Sequence, residues 1–146
     1  MEMTYKQYVI SDDRSKVNVQ TVIDFLANSY WASRRSPETI QLSIQNSICY
    51  SVYDGERMIG FARIVTDGAT MYYLCDVFVL EPYRGQGISK KLIEVITNDP
   101  QFEWMTGVLG TKDAHGLYEQ FGFVREQERY MKRLPQARRE RGAKQY

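Results

Sequence analysis

The sequence predicts one α/β domain on a mixed sheet, antiparallel in its first half and βαβ-like in its second. Three observations carry this. Residues 48–80 read as three consecutive strands broken by Asp54-Gly55 and Asp67-Gly68. From residue 87 onward the pattern alternates between helical and strand periods, which implies parallel pairing across crossover helices. The chain has 146 residues, 43% hydrophobic and 25% charged, enough for one core and a soluble surface.

The elements follow in order. Residues 5–10 read as a first strand. Residues 17–30 carry Val19, Val22, Ile23 and Leu26 at helical spacing. Ser36-Pro37-Glu38 is a helix start: a capping hydroxyl, a proline suited to the first helical position, and an acid at the positive end. That helix should end near Gln45. Residues 48–53, 58–65 and 70–80 form the expected meander. In residues 87–98, Ile88, Leu92, Val95 and Ile96 share one helical face. Residues 105–109 read as a strand, 113–121 as a short helix, and 123–131 as a last strand. The domain is expected to span residues 1–135, with residues 136–146 a disordered tail.

Composition excludes several classes. No apolar run approaches the ~20 residues that cross a bilayer, and the N-terminal residues lack the apolar stretch of a signal peptide. Cys49 and Cys75 lack metal-ligand spacing and make no disulfide framework. A cytoplasmic protein with free thiols, without a metal and without a membrane association, is the expectation. Net charge is +1, but the tail carries Arg138, Arg139, Arg141 and Lys144 against Glu140, leaving the first 135 residues at −2. With no apolar anchor and no aromatic platform, that tail is read as a solvated end rather than a nucleic-acid contact.

The segment Arg84-Gly85-Gln86-Gly87-Ile88-Ser89 joins the long strand to the next helix. Two glycines allow a tight turn with exposed amides. The helix that follows adds unpaired N–H groups and the positive end of its dipole. Successive inward amides make an anion nest, and Arg84 adds a full charge. A pyrophosphate, with many acceptor oxygens, suits such a cradle. The pattern matches neither a P-loop nor Gly-x-Gly-x-x-Gly. The preceding strand, through Val77, Phe78 and Val79, offers amides to an extended arm, and Lys90 or Lys91 offers charge to a further phosphate.

These residues resemble the GNAT superfamily of N-acyltransferases. The family's motif of Arg or Gln, two residues, Gly, one residue, then Gly or Ala falls on Arg84, Gly87 and Ser89. A second block, Asn-x-x-Ala-x-x-Leu-Tyr-x-x-x-Gly-Phe, is similar to Thr111, Ala114, Leu117, Tyr118, Gly122 and Phe123, with Thr111 in place of Asn. The resemblance covers residues 5–131 in element order. It implies acetyl-CoA as co-substrate, a pantetheine contact at position 111, a proton-donating role for Tyr118, and often a homodimer.

Acyl transfer to an amine needs aligned reactants, an oxyanion donor, a neutral amine and a proton for the departing thiolate. Tyr118, a phenol with an ordinary pKa near ~10, suits the last role; it also reads as a helix tyrosine anchoring the fold. A strand amide near Phe78 or Val79 is the expected oxyanion donor. For the base, Asp76 sits in an apolar strand, where a carboxylate is costly unless paired. It reads equally as a base, directly or through water, a ligand for a cationic substrate, or a carboxylate satisfied by backbone or an arginine. In some relatives the acid on this strand stands at the neighbouring position, Cys75 here. Asp113 and His115, the only histidine, are rivals.

Tyr30, Trp31, Tyr72 and Tyr73, with Arg34 and Arg35 nearby in sequence, are candidates for an acceptor pocket. Aromatic walls suit an apolar or cationic amine, arginines a carboxylate. The expected function is acetyl-CoA-dependent acetylation of a primary amine, on a small molecule or a peptide, by direct attack in a ternary complex. The alternative is a non-catalytic module that binds acyl-CoA as a regulatory ligand.

Overall fold

The computed structural model describes residues 1–140. Six strands form one sheet in sequence order: β1 (Glu2–Tyr5), β2 (Tyr8–Ser11), β3 (Ile48–Asp54), β4 (Arg57–Thr66), β5 (Met71–Val79) and β6 (Thr106–Val108). Pairing is antiparallel from β1 to β5 and parallel between β5 and β6. The crossover between β5 and β6 carries α3 (Ile88–Thr97). This is the mixed α/β sheet that the change of period predicts.

Two cores lie against the sheet. On one face, α1 (Val19–Ala27) and α2 (Pro37–Gln45) bury Val22, Leu26, Ile40 and Ile44 against Phe61 and Phe78. Asn18 caps α1 by accepting from the Thr21 N–H, and Ser36 caps α2 by accepting from the Thr39 N–H. On the other face, α3 buries Ile88, Leu92, Ile93, Val95 and Ile96, each worth roughly 1.5–3 kcal/mol of transfer free energy. The short α4 (His115–Glu119) joins that second core through Tyr118.

Two expectations need correction. The first strand is a hairpin, because Lys6 adopts a left-handed φ of 55° and turns β1 back onto β2. The last strand, residues 123–131, does not form. Arg125, Glu126, Glu128 and Arg129 leave it no continuous apolar face, and Val124 and Met131 stand in solvent, so burial gives no drive for pairing. β6 therefore lies at the sheet edge. Within the expected tail, Gln136–Glu140 form the short helix α5; the tail's remaining residues, 141–146, lie outside the described residues. Among the described residues, no helix is long and apolar enough to cross a membrane.

Candidate active site

The site begins with a break in the sheet. β5 pairs with β6 only at Met71–Thr106, Tyr72–Gly107 and Tyr73–Val108, while β5 continues to Val79. Beyond Tyr73 the two strands part and leave an opening along one edge of β5. Within this stretch β5 bulges against β4: Arg63 pairs with Cys75 and Phe61 with Phe78, so Asp76 and Val77 stand opposite the single residue Ala62. Asp76 takes the extra turn at a left-handed φ of 52°.

The bulge fixes the direction of the next amides. Leu80 donates its N–H to the Ile59 carbonyl at 2.8 Å. Antiparallel alternation then aims the Phe78 N–H at β4 and the Val79 N–H away from it, into the opening. The Val79 carbonyl shares that direction and accepts from Arg84 Nε at 3.0 Å. Of the two expected oxyanion donors, only Val79 has its N–H on the open side. The Phe78 ring is buried and stacks on Phe25 with centroids 4.0 Å apart.

Next along the chain lies the glycine loop. Gly85 and Gly87 have φ of 81° and 80°, and Gly87 is the N-cap of α3 with no side chain to cap it. Among the described residues, the N–H groups of Gln86, Gly87, Ile88, Ser89 and Lys90 have no protein acceptor; the first bond of the helix runs from the Lys91 N–H to the Gly87 carbonyl. That row of free amides is the anion nest the glycine spacing predicts.

What holds the row was not legible. Tyr5 Oη donates to the Gln86 carbonyl at 2.8 Å, Lys6 Nζ donates to the same oxygen at 2.9 Å, and Tyr8 Oη donates to Gln86 Oε1 at 2.8 Å. The N-terminal hairpin thus clamps the loop from behind with three bonds to one residue. A Cβ on Gly87 would meet Tyr5 Oη at 2.7 Å, so glycine is needed for close approach as well as for φ.

Tyr118 belongs to the same apolar cluster as Val77 and Val79. Its side chain makes no hydrogen bond among the described residues and is only 9% exposed. Burial first, then the neighbouring Tyr30 and Asp113, push its phenol up to about 12. A hydroxyl that stays protonated and unengaged is ready to donate. Thr111 Oγ1 accepts from the Ala114 N–H at 3.0 Å, so the residue in place of asparagine steadies the turn into α4. His115 opens α4 half-buried, and Asp113 is exposed.

Asp76 is not free to act as a base. Its carboxylate is buried and accepts from Trp31 Nε1 at 3.0 Å and Arg63 Nε at 2.8 Å; Arg35 Nη1 lies 2.9 Å from both its oxygens. Burial works to raise its pKa, but the Arg35 and Arg63 guanidiniums outweigh that and hold it below the usual carboxylate range. An acid so engaged takes a proton poorly. Its place is structural, as the anchor of Arg35, Arg63 and Trp31.

The predicted acceptor residues separate by face. Tyr72 points to the α3 core, 6% exposed, with its ring 4.8 Å from Phe102, and is not a pocket residue. Tyr73, one residue on, points the other way and is half-buried near Gly110 and Arg35. Tyr30 packs edge-on against Trp31 at 5.1 Å, and Lys112 Nζ sits 5.5 Å from the Tyr30 ring centroid. Pairwise interactions thus link Tyr118 to Tyr30, Tyr30 to Trp31, Trp31 and Arg35 to the buried Asp76, and Arg35 to Tyr73. Arg63 was missed; its place opposite Cys75 in a paired strand was the one available signal.

The comparisons with known proteins agree. Residues 45–125 match the family model for the acetyltransferase (GNAT) domain. A GNAT-family protein of Xanthomonas campestris pv. campestris, proposed as an acetyltransferase, is 32% identical, with 91% of this chain and 95% of that chain covered and a TM-score of 0.84. A GNAT-family acetyltransferase of Elizabethkingia anophelis with acetyl-CoA bound shares the fold at 18% identity, covering 82% of this chain and 78% of that one, with a TM-score of 0.63. A Gibberella zeae protein named for a proposed acetyltransferase activity is 22% identical over 113 residues, and the match spans 64% of this chain and 64% of that protein's length. On its glycine loop, its parted strands and these matches, the chain is a member of the GNAT acetyltransferase family.

Proposed function

We propose that this protein transfers an acetyl group from acetyl-CoA to a primary amine by direct attack within a ternary complex. One observation carries the reading: Val79, whose N–H points away from β4, shares an apolar cluster with Ile88 in the row of free amides and with the unengaged Tyr118. The free amides receive the pyrophosphate oxygens. The open edge of β5 takes the extended arm in place of the missing β6 partner. The Val79 N–H stabilises the oxygen of the reacting carbonyl as charge gathers there.

The amine nitrogen bonds to the thioester carbon, and the carbon–sulfur bond breaks. Tyr118 gives its phenolic proton to the leaving sulfur, and the nitrogen loses one proton to solvent, from which the phenolate is refilled. With Asp76 held by its cations, the amine enters neutral from solution. Holding both reactants in line is worth about 7–11 kcal/mol when the alignment is good.

A thiol-release assay with acetyl-CoA over a panel of primary amines, run beside a thermal shift with CoA, tests this. Amine-dependent release with CoA stabilisation is the expected result. Stabilisation by CoA with no release on any amine would instead favour a regulatory acyl-CoA module. No stabilisation by CoA would remove the cradle as a donor site.

A further inference from the structure

We infer that Arg35 is the specificity residue of the acceptor side and selects an amine that also carries a carboxylate, an amino-acid-like acceptor, with Asp76 positioning its guanidinium. This rests on the acetyl-transfer reading above and narrows its acceptor.

The argument starts from surplus donors. Asp76 is already served without Arg35: Oδ1 accepts from Trp31 and Oδ2 from Arg63. Arg63 is itself consumed, with its Nη1 donating to Ser47 Oγ at 3.1 Å and its side chain 11% exposed. Arg35 is different. Only its Nη1 is engaged, its Nε and Nη2 make no bond among the described residues, and its side chain is 26% exposed. A guanidinium fixed by one nitrogen to a buried anchor, and partly exposed, keeps its remaining fork for a ligand. That fork matches a carboxylate through two parallel bonds.

Charge points the same way. Two guanidiniums face one carboxylate, which leaves the cluster one positive charge in excess. Cys49 and Cys75, which interact with the same groups, add no compensating charge. Burial pushes the thiols of Cys49 and Cys75 up to about 11 and about 12, so both are neutral. A half-buried surplus of positive charge attracts an anionic group and repels a second cation. Arg35 acts electrostatically on Tyr73, the last residue of β5 that pairs with β6, so an acceptor whose carboxylate sits on the fork would be held close to where the two strands part.

The test is a paired panel: the common amino acids, simple dipeptides and ω-amino acids, each beside its carboxamide, with amines lacking any carboxylate as a third set. With acetyl-CoA fixed, kcat/KM for the best carboxylate-bearing acceptor should exceed that of its carboxamide at least tenfold. In Arg35→Gln that ratio should fall to within twofold of one, mainly through KM, and Arg35→Lys should keep part of it. If carboxamides or carboxylate-free amines react as well or better in the unaltered protein, the inference is overturned while the acetyl-transfer reading stands. If CoA binds and no amine in any set reacts, the acetyl-transfer reading fails, and this one with it.

Discussion

The two sides of the opening are built from different materials. On the proposed donor side, the groups that would meet the ligand are backbone amides at residues 86–90 and Val79, and side chains such as Tyr5, Tyr8 and Arg84 brace the segment. On the proposed acceptor side, the groups that would meet the ligand are side chains, and the backbone's contribution is one bulge at Asp76 that gathers Trp31, Arg35 and Arg63. A backbone site reads a shape that every ligand of one class shares, whereas a side-chain site is free to change with the acceptor. That difference separates what glycine spacing encodes from what contacts between distant residues encode.

The comparison makes ordered predictions. The largest effect falls on the acceptor side: Asp76→Asn leaves two largely buried guanidiniums without their counter-ion and should cost about 3–5 kcal/mol of stability, read by urea unfolding. Because the folded pKa of Asp76 is lowered, its contribution is complete above the unfolded value near ~4 and is lost as pH falls through the folded one. The stability gap between the parent and Asp76→Asn should hold constant from pH 8 to about pH 5 and close only under stronger acid. A gap that already narrows near neutral pH would mean Asp76 is not held by its arginines.

The next effect breaks the donor side. Gly87→Ala puts a Cβ 2.7 Å from Tyr5 Oη at a φ of 80°, and Gly85→Ala meets nothing within 4 Å at a φ of 81°. Both carry the left-handed penalty of about 1–2 kcal/mol. Only Gly87→Ala should also displace the Tyr5 brace, so its CoA affinity, measured by calorimetry, should fall further than that of Gly85→Ala. Equal losses would show that the hairpin clamp does not matter to the cradle.

The smallest effect sharpens the same point. Tyr8→Phe removes one bond to Gln86 Oε1, worth about 1 kcal/mol. It should weaken CoA severalfold while leaving the KM of any acceptor unmoved. An equal change in both constants would argue that the two sides are not separable.

The same division explains what could be read in advance. The cradle was legible because Gly85 and Gly87 announce their φ values, and Ser36-Pro37 announces the start of α2, found at Pro37–Gln45. The hairpin at Lys6 was not, since a lysine carries no turn signal. The failed strand at residues 123–131 follows from charged residues that period alone does not weigh. Asp76 was marked as a buried acid needing a partner, but Arg35 and Arg63 lie 41 and 13 residues away, and no local pattern joins them. Tyr72 and Tyr73 looked equivalent, because which face of a strand meets the core is decided by the sheet around it.

The most direct test of the central claim is the turnover of Tyr118→Phe with acetyl-CoA and an acceptor found in the panel. In the proposed mechanism the phenol donates its proton only as the carbon–sulfur bond breaks. Loss of the hydroxyl should therefore lower kcat by about a hundredfold or more while the dissociation constant for CoA stays within twofold. An unchanged kcat would contradict the account and return Tyr118 to the apolar cluster as a packing residue.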